Sequence, residues 1–219
     1  MSMLENIKAI SVGNIENIKA IFALATPNEI LDGVTWYARA QTDAKNISLK
    51  YNVPLDRVVG VIAALSPNNK WERNVINADD LIGAYINGDP MESVKVSTYN
   101  KMKEKAWLVL ADQFDDNSPS IPERLNGQKI KSFYGCIMGF DECCIDGHAL
   151  NIWRNQRTGL TSASTNIGKK LYAEIQNDYI DAASDTEFLA KNSFNTRPLK
   201  AYEMQAITWV TWRRIHNIT

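Results

Sequence analysis

In this chain of 219 residues, a lysine and an aspartate stand in the two segments with the most chemical content. Lys129 lies in the run Leu125-Asn126-Gly127-Gln128-Lys129-Ile130-Lys131-Ser132-Phe133, and Asp146 follows it by 17 positions in Cys144-Ile145-Asp146-Gly147-His148-Ala149. A carboxylate beside an electron-poor carbon stabilises positive charge that develops there, or activates the nucleophile that attacks it. A lysine amine attacks such a carbon itself and forms a Schiff base, once burial or neighbouring cations lower its pKa. Lys131 offers a second amine close by. Each residue also has a plain structural reading. Asp146 sits where the N-cap of a following helix belongs, and Lys129 opens a helix at a position where lysines are ordinarily solvated. His148, next to a helix start, reads as a packed or hydrogen-bonded histidine.

A second polar cluster stands upstream in Ala64-Leu65-Ser66-Pro67-Asn68-Asn69-Lys70-Trp71. Asparagine tolerates turn geometry, so Asn68 and Asn69 suit a turn that caps the next helix. Trp71, Tyr134 and Trp209 add aromatic rings, and Gln205 adds an amide. The last helix, with Tyr202, Met204, Ile207, Trp209, Val210 and Trp212 followed by Arg213 and Arg214, has two readings. It is a core helix with a basic end complementing its dipole, or a stacking and phosphate-contacting surface.

These segments resemble the helix-hairpin-helix DNA glycosylase superfamily, in particular its endonuclease III-like branch. In that family a helix ends in a glycine-rich hairpin of the form Leu-Pro-Gly-Val-Gly. A second helix then opens with Lys-Thr-Ala in the bifunctional members, and Val-Asp-Thr-His comes about 18 residues later. Here Leu125 to Lys129 occupies the hairpin, Ile145-Asp146-Gly147-His148 stands for the aspartate element, and Asn151-Ile152-Trp153-Arg154 continues the following helix. Ser66-Pro67-Asn68-Asn69 resembles the family's turn whose polar side chain fills the gap left by a flipped nucleotide. The match covers Val58 to Arg154, about half of the chain. The hairpin departs from the pattern in carrying one glycine, Gly127, where the family has two or more, and the family's four-cysteine cluster is missing.

The resemblance implies a two-lobed all-α fold and a DNA N-glycosylase, with or without AP-lyase activity. Asp146 would be the catalytic carboxylate, and Lys129 the lyase nucleophile, with Lys131 behind it. DNA and the flipped base would meet Asn68, Asn69, Trp71, Gly127, Lys131, Tyr134 and Gln205. Phage enzymes that hypermodify thymine on a related scaffold, and a catalytically inactive DNA-binding or inhibitor protein, are the alternatives. The resemblance points to phage-encoded relatives, hence to the host cytoplasm. DNA is the expected partner, the expected state is a monomer, and no cofactor or metal is implied.

Positioning these residues takes helices. Apolar residues recur at helical spacing and strand-like alternation is nearly absent, which predicts an all-α chain. A helix is expected from Pro27, capped by Thr26, to Tyr51, with Asn52 as the stop. Pro54 opens a segment apolar on nearly all sides and therefore central, ending at Ser66-Pro67. Further helices are expected over Lys70 to Asn87, Ser97 or Thr98 to Phe114, Ile121 to Leu125, Gln128 to Met138 and Gly147 to Gln156. The last two run near Ser164 to Ala182 and Pro198 to Ile215, and Asp115 to Pro119 reads as a loop. The hexapeptide Glu-Asn-Ile-Lys-Ala-Ile occurs at Glu5 and again at Glu16, an echo too short and too few for a solenoid.

Composition excludes several classes. Hydrophobic residues at 45% and charged residues at 22% describe a folded globular chain and argue against disorder and coiled coil. The chain length suits one domain. No apolar run is long enough for a membrane span, and Met1 to Ile10 lacks the features of a signal peptide, so a cytosolic protein is expected. Cys136, Cys143 and Cys144 are odd in number and poorly spaced for a disulfide framework, which predicts reduced thiols. With two histidines and no cysteine cluster, a structural zinc site lacks ligands. The net charge of −1 means that any nucleic-acid contact must come from a local basic surface.

Overall fold

The computed structural model describes residues 14–111, 119–159, 167–192, 194 and 197–218. These residues form eleven α-helices and one 3-10 turn, with no strand among them. The helices are α1 (Ile15–Phe22), α2 (Pro27–Tyr51), α3 (Leu55–Leu65), α4 (Trp71–Asn87), α5 (Asn100–Ala111), α6 (Ile121–Leu125), α7 (Gln128–Met138), α8 (Gly147–Arg154), α9 (Lys169–Ser184), α10 (Thr186–Lys191) and α11 (Ala201–Ile215); the 3-10 turn is Met91–Ser93. No described helix is long and apolar enough to cross a membrane.

Contacts divide the chain into two compact units, one of residues 38–140 and one that joins 1–37 to 141–219. The division falls within α2. In the continuous unit α3 is the axis, packed against α4, α5, α6 and α7. Val58 to Leu65 are all buried, as expected of a helix apolar all round. Gly60 brings the neighbours in: a Cβ there would meet Ile121 Cγ2 at 2.8 Å and Val109 Cγ1 at 2.9 Å, so a side chain would push α5 and α6 away.

In the discontinuous unit α1, α8, α9 and α11 pack around Ile18, Phe22, Ile152, Ile175, Tyr179, Ile207 and Trp212. Asn17 Nδ2 donates to the Trp153 carbonyl at 2.7 Å, tying α1 to the end of α8. At Gly33 a Cβ would lie 2.6 Å from the Ile207 backbone, so α2 and α11 touch through bare main chain.

Several sequence expectations hold to the residue. Thr26 and Glu29 cap α2 reciprocally, Thr26 N–H donating to Glu29 Oε2 at 2.8 Å and Glu29 N–H to Thr26 Oγ1 at 3.3 Å. Asn52 stops the helix with φ at 51°. Other boundaries move where tertiary hydrogen bonds take the local groups. Helix α5 starts at Asn100, because Ser97 N–H is given to Asn77 Oδ1 at 2.8 Å and Thr98 Oγ1 to the Pro67 carbonyl at 2.6 Å. Leu199 N–H donates to the Ala183 carbonyl, so α11 waits until Ala201. Asn155, at φ 48°, ends α8 at Arg154, short of Gln156. Helix α9 starts at Lys169, after the expected start at Ser164, which lies outside the described residues, as do Phe114, the loop at 115–118 and the first copy of the hexapeptide. The second copy lies within α1, with Ile18, Ile21 and Phe22 buried. Local spacing did not reveal α10, which Asp185 caps by accepting from Phe188 N–H.

Candidate active site

Asp146 ends a short extended segment and caps α8, its Oδ1 accepting from Ala149 N–H at 2.8 Å. The extended segment is stapled to α9 by two side chains. Tyr172 Oη accepts from Ile145 N–H at 3.0 Å, and Gln176 Nε2 donates to the Cys143 carbonyl at 2.8 Å. Cys143, Cys144 and Cys136 are buried and in no disulfide. Beneath Asp146 lies Tyr179, whose hydroxyl is 3.5 Å from Thr208 Oγ1. Burial drives the Tyr179 phenol well above its ordinary pKa, and the neighbouring Cys143 and Asp146 push it further, while the Thr208 contact opposes. The phenol therefore stays a neutral hydrogen-bonding group next to the carboxylate. Among the described residues, Ala149 N–H is the one hydrogen-bond donor to the Asp146 side chain, so the half-buried carboxylate keeps an oxygen for other work. His148 meets the edge of Trp209 at 6.1 Å between ring centres.

The hairpin is two helices, α6 and α7, joined by the dipeptide Asn126-Gly127, both at positive φ (46° and 96°). Asparagine takes one of the two positive-φ positions and glycine the other. Ser120 and Glu123 box the start of α6 at 2.7 Å. At its other end the Lys105 ammonium donates to the Leu125 carbonyl and, at 3.3 Å, to that of Asn126. Burial and the nearby Lys101 hold the Lys105 pKa below its usual value. The N-cap of α7 is Gly127, which has no side chain to cap the first turn, and Gly127 and Lys129 are exposed. Lys131 is half-buried one turn on, its N–H bonded to the Gly127 carbonyl.

The Ser66 to Lys70 turn is held from several sides. Asn69 Nδ2 donates to the Leu65 carbonyl at 3.2 Å and to Asn77 Oδ1 at 3.4 Å, and the Pro67 carbonyl takes the Thr98 hydroxyl. Asn68, exposed at φ 58°, donates to the Tyr99 hydroxyl at 3.2 Å. Trp71 starts α4 with its Nε1–H on Asp43 Oδ2 at 3.1 Å and its ring edge-on to Phe133 of α7 at 6.4 Å. Tyr134 and Gln205 are buried, 6% and 7% exposed. Burial, with Asp56 nearby, pushes the Tyr134 phenol up to about 12.

A family model described as "Family of unknown function (DUF7178)" matches residues 2–216. The chain belongs to that family. No curated protein and no solved structure matches it. In this DUF7178 chain Lys129, Lys131, Gly127, Tyr134, Asn68, Asn69 and Trp71 fall in the continuous unit, whereas Asp146 and Gln205 fall in the discontinuous one. Within the continuous unit, Trp71 and Phe133 bring the asparagine turn and α7 together. Two residues of this DUF7178 protein that sequence reasoning missed stand at these features. Tyr99 is 59% exposed on the asparagine turn, and Lys105 closes the hairpin. An aromatic residue just before a helix start is the signal that marks Tyr99. Nothing local marks Lys105, which reaches across 20 residues of sequence.

Proposed function

We propose that this DUF7178 protein is a DNA N-glycosylase that acts on a base flipped out of the stack, with Asp146 as its carboxylate. The observation that carries the reading is the hairpin. Two helices joined by two positive-φ residues put the start of α7, with Gly127 and Lys129 exposed, at the surface, and a helix N-terminus there is suited to a phosphate. In sequence the next helix is the one capped by Asp146. That carboxylate supplies negative charge where N-glycosidic cleavage develops an oxocarbenium-like cation. Exposed Asn68 and Tyr99 offer an amide and a ring to the gap that flipping leaves. Lys129, exposed on the first turn of α7, is the amine for a lyase step.

The test is incubation with duplexes carrying uracil, oxidised or alkylated bases, with borohydride trapping. Base release that disappears in Asp146→Asn is the expected result, and trapping lost in Lys129→Gln identifies the lyase amine. Release from no substrate, or release unchanged in Asp146→Asn, ends the proposal. In that case an inventory of nucleosides in the DNA of the source separates thymine hypermodification from an inactive binding protein.

A further inference from the structure

A pocket of about 380 Å³ opens at the C-terminal end of α11, lined by Trp209, Val210, Arg213, Arg214 and Asn217 together with Asp32 of α2. Its walls are made by a chain reversal. Asn217, at φ 50°, gives its N–H to the Arg214 carbonyl, and Ile218 N–H goes back to the Arg213 carbonyl at 2.9 Å. The Arg213 guanidinium lies on the Trp209 ring, 4.6 Å from its centre, and its Nε donates to the Ile218 carbonyl at 3.2 Å. Trp209 is braced on another side by His148. The guanidinium plane is thereby fixed before any ligand arrives, and among the described residues nothing accepts from its two Nη groups.

The charges in this pocket differ in kind. Arg214 is consumed by Glu29, at 2.6 Å and 3.2 Å, and by the Leu24 carbonyl, so it frames the site. Arg213 is the cation left to act, with the Asp32 carboxylate on the same pocket. A planar, pre-ordered guanidinium binds a phosphate or carboxylate through two parallel N–H bonds. A bare anion would also feel repulsion from Asp32. A ligand that carries an anion, a hydroxyl or amino group able to add a hydrogen bond to Asp32, and a flat face for the guanidinium-on-indole stack complements all three groups. The volume lies at the lower end of the range for small-molecule sites.

We propose that this pocket binds a nucleotide, its phosphate on Arg213, its sugar hydroxyl or base amine on Asp32, and its base against the Arg213–Trp209 stack. The proposal is independent of the glycosylase reading and of Asp146. The nucleotide is either free or one unit of a nucleic-acid strand, and the shared chemistry is the same.

Calorimetric titration of the full chain with dAMP, deoxyadenosine and inorganic phosphate tests it. Expected is a dissociation constant for dAMP at least about tenfold below that for either fragment, and a loss of about tenfold or more in Arg213→Gln. Thermal melting of Arg213→Gln verifies its fold, and Arg213→Lys, which keeps the charge and loses the fork, is expected to lose most of the same affinity. A short single-stranded oligonucleotide forms the second arm: tighter, Arg213-dependent binding identifies a strand as the source, and binding confined to dAMP identifies the free nucleotide. No binding of dAMP or oligonucleotide at millimolar concentration, phosphate binding as tightly as dAMP, or full affinity in a folded Arg213→Gln overturns the proposal.

Discussion

The Asn68 side-chain amide donates to the hydroxyl of Tyr99 at 3.2 Å, across 31 residues of sequence. Both residues are exposed, yet the main chain beneath each is anchored, by the Thr98 hydroxyl on the Pro67 carbonyl and by Ser97 N–H on buried Asn77. Under the proposed function, an exposed ring and an exposed amide on a stiff base would enter a stack of bases without first ordering themselves.

That pair separates contact from scaffold. Tyr99→Ala is expected to weaken duplex DNA binding by about fivefold to a hundredfold, the range for loss of one stacked base at about 1 to 3 kcal/mol. Tyr99→Phe keeps the ring and stays close to the parent. Neither change should lower thermal stability appreciably, since the ring is 59% exposed. Equal affinity for all three proteins in a fluorescence anisotropy titration removes Tyr99 from the DNA surface.

Asp146 caps α8, and substitution separates that cap from the catalytic role proposed for it. Asparagine caps a helix about as well as aspartate, whereas alanine costs about 1 kcal/mol. Asp146→Asn is therefore expected to melt like the parent while losing about a hundredfold or more in base release, and Asp146→Ala to lose both. Melting curves alongside single-turnover kinetics check this, and an Asp146→Asn that keeps its activity reduces the residue to its cap.

The hairpin turn answers to backbone geometry. Gly127 sits at φ 96°, and a Cβ added there would meet nothing within 4 Å, so Gly127→Ala brings conformational strain and no clash. A loss of about 1 to 2 kcal/mol is expected. Asn126→Gly, at φ 46°, is expected to stabilise slightly or leave stability unchanged. Denaturant midpoints that move the opposite way for the two variants contradict the turn as described.

Glu29 and Arg214 predict an acid limb. Burial of Glu29 works against its charge, but hydrogen bonds from Arg214 and Thr26 outweigh it and hold the carboxyl below its ordinary value of 4.5. The folded form thus keeps this group ionised where the unfolded chain protonates it. Its stabilisation is complete above about pH 4.5 and is lost as pH falls through the lower folded value. Melting temperatures between about pH 3 and pH 7 should fall less steeply on the acid side in Glu29→Gln than in the parent, from a lower neutral value. Parallel curves would show that the pair does not titrate with unfolding.

How much of this was legible beforehand depended on range. The ends of α2, the burial of α3 on all sides, and the bounds of α6 and α7 follow from residues within one or two turns: Thr26 with Glu29, the apolar run after Pro54, Gly127 and Gly139. Asp146 as a helix cap belongs with them, because its acceptor finds Ala149 three residues on. Helix propensity, capping and left-handed turns are short-range terms, and the amino-acid order states them directly.

The tertiary structure alone decided where partners lie far apart. It gave Ser97 and Thr98 to the asparagine turn and so delayed α5, and it brought Tyr99 to Asn68. It also carried Lys105 to the hairpin carbonyls and set Asp32 of another helix on the pocket that holds Arg213 and Trp209. Each of these depends on which helix faces meet. Helix faces meet where apolar burial, summed over the whole unit, is best satisfied, and local spacing does not record that sum.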